Sequence, residues 1–352
     1  MDELDMVRSL GRDIPHPSDS AKQAARAALV AYVSATPRRL SWWPKAPRVS
    51  RARGLGLAAA LGLVAILASG VVPFGPGPHD AAAAALGRIA AVALTTADGG
   101  GPRSGYRHTV SDGANVVGAS TNREGTQSVW ALVPVHREIW VKPDGSGRLI
   151  EQRANAIWFS AADKAAWIAA GSPDLGDDRS TDTRFDATPP GSDPGTPQLV
   201  PGSLGYADVD ALPTDIDQLE ALIRTRAAAN GGGATDAEVL SIAGDLLSET
   251  VAALKLRAAL YQIVARLGGV ELMGSVTDHS GRTGVGVSLT DDDTSPGGRG
   301  RERHVLIFDP NTSMLLERQT VQLSRMDGIS VEPPVTIGYT TYLTSEMVPR
   351  IP

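Results

Sequence analysis

Six histidines, His16, His79, His108, His136, His279 and His304, are the residues of this chain best suited to metal ligation or proton transfer. None stands three or four positions from another, so no single helix could present two imidazoles to one ion. Two acidic groups come next. Asp291, Asp292 and Asp293 are consecutive, and Asp174, Asp177, Asp178, Asp182 and Asp186 are spread along a stretch rich in Pro and Gly. Calcium takes oxygen ligands at alternate positions around a tight glycine turn, and neither group has that pattern. Both read as solvated loop acids. Carboxylate pairs for glycoside hydrolysis would want stacking aromatics beside them, and aromatics make up only 5% of the chain. No G-x-S-x-G, H-E-x-x-H, S-x-x-K or Walker loop occurs. Without a cysteine there is no thiolate chemistry, no disulfide and no acylated lipobox. The expectation is a protein that is not an enzyme and that uses no metal or cofactor.

The element with the clearest signature is apolar. Gly54–Val72 carries no charge over nineteen positions, enough for a helix of roughly 28 Å, about the hydrocarbon thickness of a bilayer. A cleaved signal peptide has a shorter core behind a shorter leader, so a retained anchor is the better reading. Upstream, Arg38, Arg39, Lys45, Arg48, Arg51 and Arg53 have no acid among them, and Trp42 and Trp43 stand where interfacial aromatics anchor a span. Pro37, Pro44 and Pro47 exclude a recognition helix, so these basic residues are expected to face membrane lipid and not nucleic acid. Residues 1–53 hold ten basic and five acidic side chains, a net of +5. The remainder carries −11, which together make the stated −6. The predicted arrangement is a single-pass cell-membrane protein with a basic cytoplasmic stub (1–53), a span (54–72), a Pro/Gly hinge (73–80) and an acidic extracytoplasmic domain (81–352).

In the outer domain, Asp80 is expected to cap a helix over Ala81–Ala97 with Leu86, Ile89 and Leu94 on its apolar side. Ser128–Val141 and Arg148–Trp158 read as a hairpin through Asp144-Gly145, and Ala161–Ala170 as a short helix. Residues 172–205 show no periodicity and read as a long loop. Three helices are predicted next. The first is capped by Thr214, the second opens at the capping box Thr235–Glu238, and the third carries Leu256, Leu260, Ile263, Val264 and Leu267. An antiparallel meander follows: Val270–Val276, Gly284–Leu289, Arg303–Phe308, Ser313–Leu323 and Val335–Leu343. Strands, helices, then strands predict an α+β fold, a curved antiparallel sheet packed on helices. An apolar groove is expected between sheet and helix, lined by Leu260, Ile263, Val285 and Val287.

The opening Met1-Asp2-Glu3-Leu4, the Arg/Ala-rich inner segment, the single span and the Ala-rich helix after it resemble one family. It comprises actinobacterial single-pass membrane proteins of unassigned activity, often encoded beside extracytoplasmic-function sigma factors. Gly105-Tyr106, Leu212-Pro213-Thr214-Asp215, the run Leu256–Tyr261 and Ile307-Phe308-Asp309-Pro310 carry the same resemblance. More loosely, the outer domain is similar to the half-barrel of lipoprotein carriers and of a sensor that tunes an anti-sigma factor. The inner segment is shorter than that of a standard anti-sigma protein and lacks its His/Cys zinc motif. The resemblance implies a membrane-anchored sensor or regulator whose residues 1–34 bind a cytoplasmic sigma factor. The alternative is a tethered lipid or lipoprotein carrier with an apolar ligand in the outer domain.

Overall fold

The computed structural model describes residues 78–95, 105–120, 128–176, 179–186, 205–229, 233–249, 254–293, 299–326 and 328–352. The stub, the basic segment with its tryptophans, and the apolar run 54–72 lie outside them. No helix among the described residues is long and apolar enough to cross a membrane.

A ten-stranded antiparallel sheet organises the domain in the order β5-β3-β2-β1-β10-β9-β8-β7-β6, with β4 also paired to β2. Its strands are β1 (Tyr106–Ser120), β2 (Ser128–Val141), β3 (Gly147–Arg153), β4 (Ile157–Trp158), β5 (Ser180–Phe185), β6 (Val270–Thr277), β7 (Thr283–Asp293), β8 (Gly300–Phe308), β9 (Leu315–Gln322) and β10 (Val335–Val348). Among the described residues five α-helices accompany it: α1 (Pro78–Thr95), α2 (Ala161–Ala169), α3 (Ile216–Ala229), α4 (Asp236–Glu249) and α5 (Leu254–Arg266). Thus the α+β class and the helix-packed antiparallel sheet are found. Strands β1 and β10 come from opposite ends of the domain and pair at the centre of the sheet.

Helices α1, α3, α4 and α5 pack on one another, α1 reaching β6 and α4 reaching β7 and β9. The core lies between them and the sheet. It takes Leu219 and Ile223 of α3, Leu240, Ala243 and Leu246 of α4, and Leu256, Leu260, Ile263 and Val264 of α5. Removing these apolar surfaces from water, at about 25 cal/mol per Å², is the main stabilising term. Helix α1 begins at Pro78, where the fixed φ and missing N–H of proline suit a first turn, so Asp80 sits inside that turn instead of capping it. Leu86 and Ile89 face the core as expected, joined by Ala82, Ala90 and Ala93, small side chains on the side of α1 that packs against α5, whereas Leu94 is 50% exposed. At α3 the cap is Asp215, whose carboxylate accepts the Gln218 N–H at 3.0 Å, one position beyond Thr214. At α4 the Thr235 hydroxyl accepts the Glu238 N–H at 3.2 Å, as the capping pattern predicts.

Three strand readings need correction. The 172–205 stretch contains β5, a polar edge strand paired to β3, whose composition hides it because an exposed edge favours polar residues. Asp291, Asp292 and Asp293 do not lie in a loop, since they end β7 and pair with Glu302, Arg301 and Gly300. In β10, where alternation along Val335–Leu343 predicts Val335, Ile337, Tyr339 and Leu343 on one face, a register shift between Thr336 and Gly338 breaks that pattern.

Candidate functional site

Two adjoining cavities lie on the helix-facing side of the sheet, sharing Asn115, Thr320 and Gly338 in their walls. The strand period places their polar side chains. On β8, Glu302, His304 and Leu306 point to one side. They pair across with Gln322, Thr320 and Arg318 of β9, and Thr320 and Arg318 pair with Gly338 and Thr340 of β10. The first cavity, about 210 Å³, is closed from above by Leu240 and Ser241 of α4. The second, about 370 Å³, is bordered by Glu302, Gln322, Trp130, Met326 and Ile337.

Arg318 holds α4 over the first cavity. It donates to the Asp245 carboxylate and, at 3.1 Å, to the Ser241 hydroxyl. Burial opposes its charge, but Asp245 and Tyr342 outweigh burial and hold the guanidinium protonated. Gly244 makes that crossing feasible, since a Cβ there would stand 3.1 Å from Arg318 Nε. Beside it, burial lowers the His304 pKa from its ordinary 6.5, assisted by the charge of Arg299, so the ring is neutral at physiological pH. Among the described residues His304 Nε2 has no hydrogen-bond partner, and Glu302 Oε2 lies 3.8 Å away. Glu302 is itself buried, and loss of hydration raises its carboxyl pKa against the charge of Arg299, 3.9 Å away.

The predicted groove residues are elsewhere. Leu260, Ile263 and Val287 are fully buried in the packed core, with Val285 partly buried against it, and neither cavity is lined by any of the four. Their space is filled by Tyr261 and Phe308, in edge-to-face contact at 5.2 Å. Tyr261 donates to the Ser313 carbonyl, and burial pushes its pKa to about 12.

On the opposite face, strand pairing assembles what sequence spacing did not suggest. Glu138 Oε2 lies 3.1 Å from His108 Nε2, and its other oxygen lies 3.6 Å from His136 Nε2. His136 Nδ1 faces Asp112 at 2.6 Å and His108 Nδ1 faces Glu346 at 3.9 Å, so acids and imidazoles alternate across three strands. The Asp112 hydrogen bond raises the His136 pKa despite partial burial. Further along, the fully buried Glu317 accepts the His279 N–H at 2.7 Å, His279 Nδ1 at 2.8 Å, Gln319 Nε2 at 2.5 Å and the Thr341 hydroxyl. His279 stacks on Tyr339 at 3.7 Å. The one sequence cue to these clusters was His136-x-Glu138, two residues that share a strand face. Among the described residues, no three His, Cys, Asp or Glu side chains are arranged to hold a metal ion.

No family model, no curated protein and no solved structure matches this chain.

Proposed function

We propose that this chain is a membrane-anchored, non-enzymatic sensor whose extracytoplasmic domain takes a small ligand in the paired cavities between sheet and helices. The observation that carries the reading is the pair of cavities itself, walled by β1, β8, β9, β10 and α4. Their volumes, about 210 and 370 Å³, sit at or below the lower end of the roughly 300–1,000 Å³ typical of small-molecule sites. Such space suits a compact ligand better than the several acyl chains of a lipoprotein, which disfavours the carrier alternative.

Signal transmission has a supporting feature. Helix α1 begins six residues after the expected end of the span and is built into the core against α5 and β6. A change in packing on ligand binding would therefore bear on the segment that leads into the membrane. In this reading residues 1–34, too short to bury a core alone, act on a cytoplasmic partner, for which a sigma factor is our proposal. The basic residues Arg38, Arg39, Lys45, Arg48, Arg51 and Arg53 hold the inner leaflet.

Single-cysteine labelling in intact cells tests the arrangement, since the natural chain has no thiol. A membrane-impermeant maleimide should label Ser192→Cys and leave Ser20→Cys unmodified until the cells are opened. Labelling of Ser20→Cys in intact cells overturns the topology and the sensor reading with it.

A further inference from the structure

The larger cavity is charged on one side and apolar on the other. Asp291 and Glu302 are cross-strand partners, and Asp293, two positions along β7, shares their face. Glu238 of α4 approaches the same corner through Arg299, whose guanidinium lies 3.8 Å from Glu238 and 3.9 Å from Glu302. Two carboxylates thus stand within 4 Å of that guanidinium, with Asp291 across the strand from Glu302 and Asp293 accepting the Arg299 backbone N–H at 3.1 Å. The neighbouring cations are engaged elsewhere, Arg301 with Asp292 at 3.2 Å and Arg318 with Asp245.

The cavity wall holds a buried carboxylate and a buried amide. The Glu302 side chain is 6% exposed and lies 3.9 Å from the Arg299 guanidinium. Gln322, 1% exposed, donates its Nε2 to the Arg299 carbonyl and the Ser324 hydroxyl, both at 2.9 Å. Because a carbonyl can only accept, that contact fixes the amide orientation and leaves Gln322 Oε1 without a partner among the described residues. A buried acceptor left unpaired is unfavourable, so Gln322 Oε1 gains from a ligand N–H, and the buried Glu302 charge gains from a cation beside it. Trp130, Met326 and Ile337 supply the apolar side.

We infer that this cavity binds a small amphipathic cation, an alkyl- or arylammonium, with its N–H groups on Glu302 and the Gln322 carbonyl and its apolar body against Trp130, Met326 and Ile337. The inference rests on the proposed ligand-binding role of the cavities and specifies what occupies them. Burial and the charges of Asp291 and Asp293 raise the Glu302 pKa, with Arg299 opposing, and a bound ammonium would offset that burden.

Gly338 offers a plug that spares the fold. It stands at the junction of the cavities, and a Cβ there would meet only Asn115 Oδ1 at 3.4 Å and the Ala114 carbonyl at 3.7 Å. Calorimetric titration of the full chain with 2-phenylethylamine, 2-phenylethanol and 3-phenylpropanoate compares cation, neutral molecule and anion on one ring. The amine should bind at least about ten-fold more tightly than the alcohol, the ratio a charge-assisted hydrogen bond supplies, and the carboxylate most weakly. Glu302→Gln should erase the preference for amine over alcohol while retaining alcohol binding. Gly338→Phe should abolish all binding while Gly338→Ala, its folding control, retains it. Equal affinity for the three probes, abolished by Gly338→Phe, overturns the cation inference and leaves the binding site standing. Preference unchanged in Glu302→Gln also overturns the inference alone. Failure of all three probes to bind the natural chain overturns both.

Discussion

Glu317 shows how far a single residue can depend on partners distant in sequence. Its carboxylate, with no exposed surface, is satisfied from the β6–β7 turn by His279, from its own strand by Gln319 and from β10 by Thr341. Removing it strands several buried donors, so Glu317→Ala should lose about 3 kcal/mol or more in urea denaturation. The His279 side chain is 40% exposed, and His279→Ala should lose less than about 1 kcal/mol. Equal losses would show that the carboxylate is not the centre of the network. The titrating histidines act in opposite directions. His136 has a raised folded pKa, so the stability it adds is present below its unfolded value of 6.5 and fades as pH rises through the folded pKa. His304 has a lowered folded pKa, so falling pH below 6.5 protonates the unfolded chain first and destabilises the fold. Compared between about pH 5.5 and pH 8, His136→Gln should be more destabilising at the acid end. His304→Gln should be less destabilising there. Neither effect was legible in the sequence, where the histidines stand apart and only the folded strands set His136 beside Asp112 and bury His304 near Glu302.

At the scale of elements, legibility followed periodicity. Strand β2 and helices α3, α4 and α5 were readable because their apolar residues recur at one clear period. Strand β1 was not anticipated, because Ser111, Asp112, Gly113 and Asn115 interrupt its apolar positions and its pairing partners, β2 and β10, supply the register. Edge strand β5 and the register shift in β10 were hidden for related reasons, since solvent exposure and one irregular residue each erase an alternating pattern. The cavities follow from these same misread elements, for Asn115 and Gly338 come from β1 and β10. Two substitutions separate core from surface. Leu260→Asp puts a carboxylate into the centre of the core and should cost more than about 4 kcal/mol. Asp292→Ala, an exposed end-of-strand acid paired to Arg301, should cost less than about 1 kcal/mol by the same denaturation measurement. Comparable losses would contradict the assigned burial. Gly328 has φ +83, and an added Cβ would meet the Ser128 carbonyl at 2.3 Å. Gly328→Ala should therefore displace the connection before β10 and shift the fluorescence of Trp130 beneath it.

For the whole molecule, the hydrophobic core of the folded domain is closed where a groove was expected and open where polar strand residues converge. Leu260 and Ile263 were expected groove walls because they are apolar and helical, yet the same property lets Tyr261 and Phe308 pack the space solid. The openings lie instead over Thr320 and Gly338, the first of them beneath α4. The absence of natural cysteine makes one comparison decisive. Full-length Thr320→Cys and Leu260→Cys, each reacted with a small maleimide under native conditions, report on the two places directly. The thiol at position 320 should react readily and slow when Gly338→Phe is added, whereas the thiol at position 260 should react only after unfolding. A native reaction at position 260 as fast as at 320, or a thiol at 320 indifferent to the Phe, would contradict the placement of the binding site.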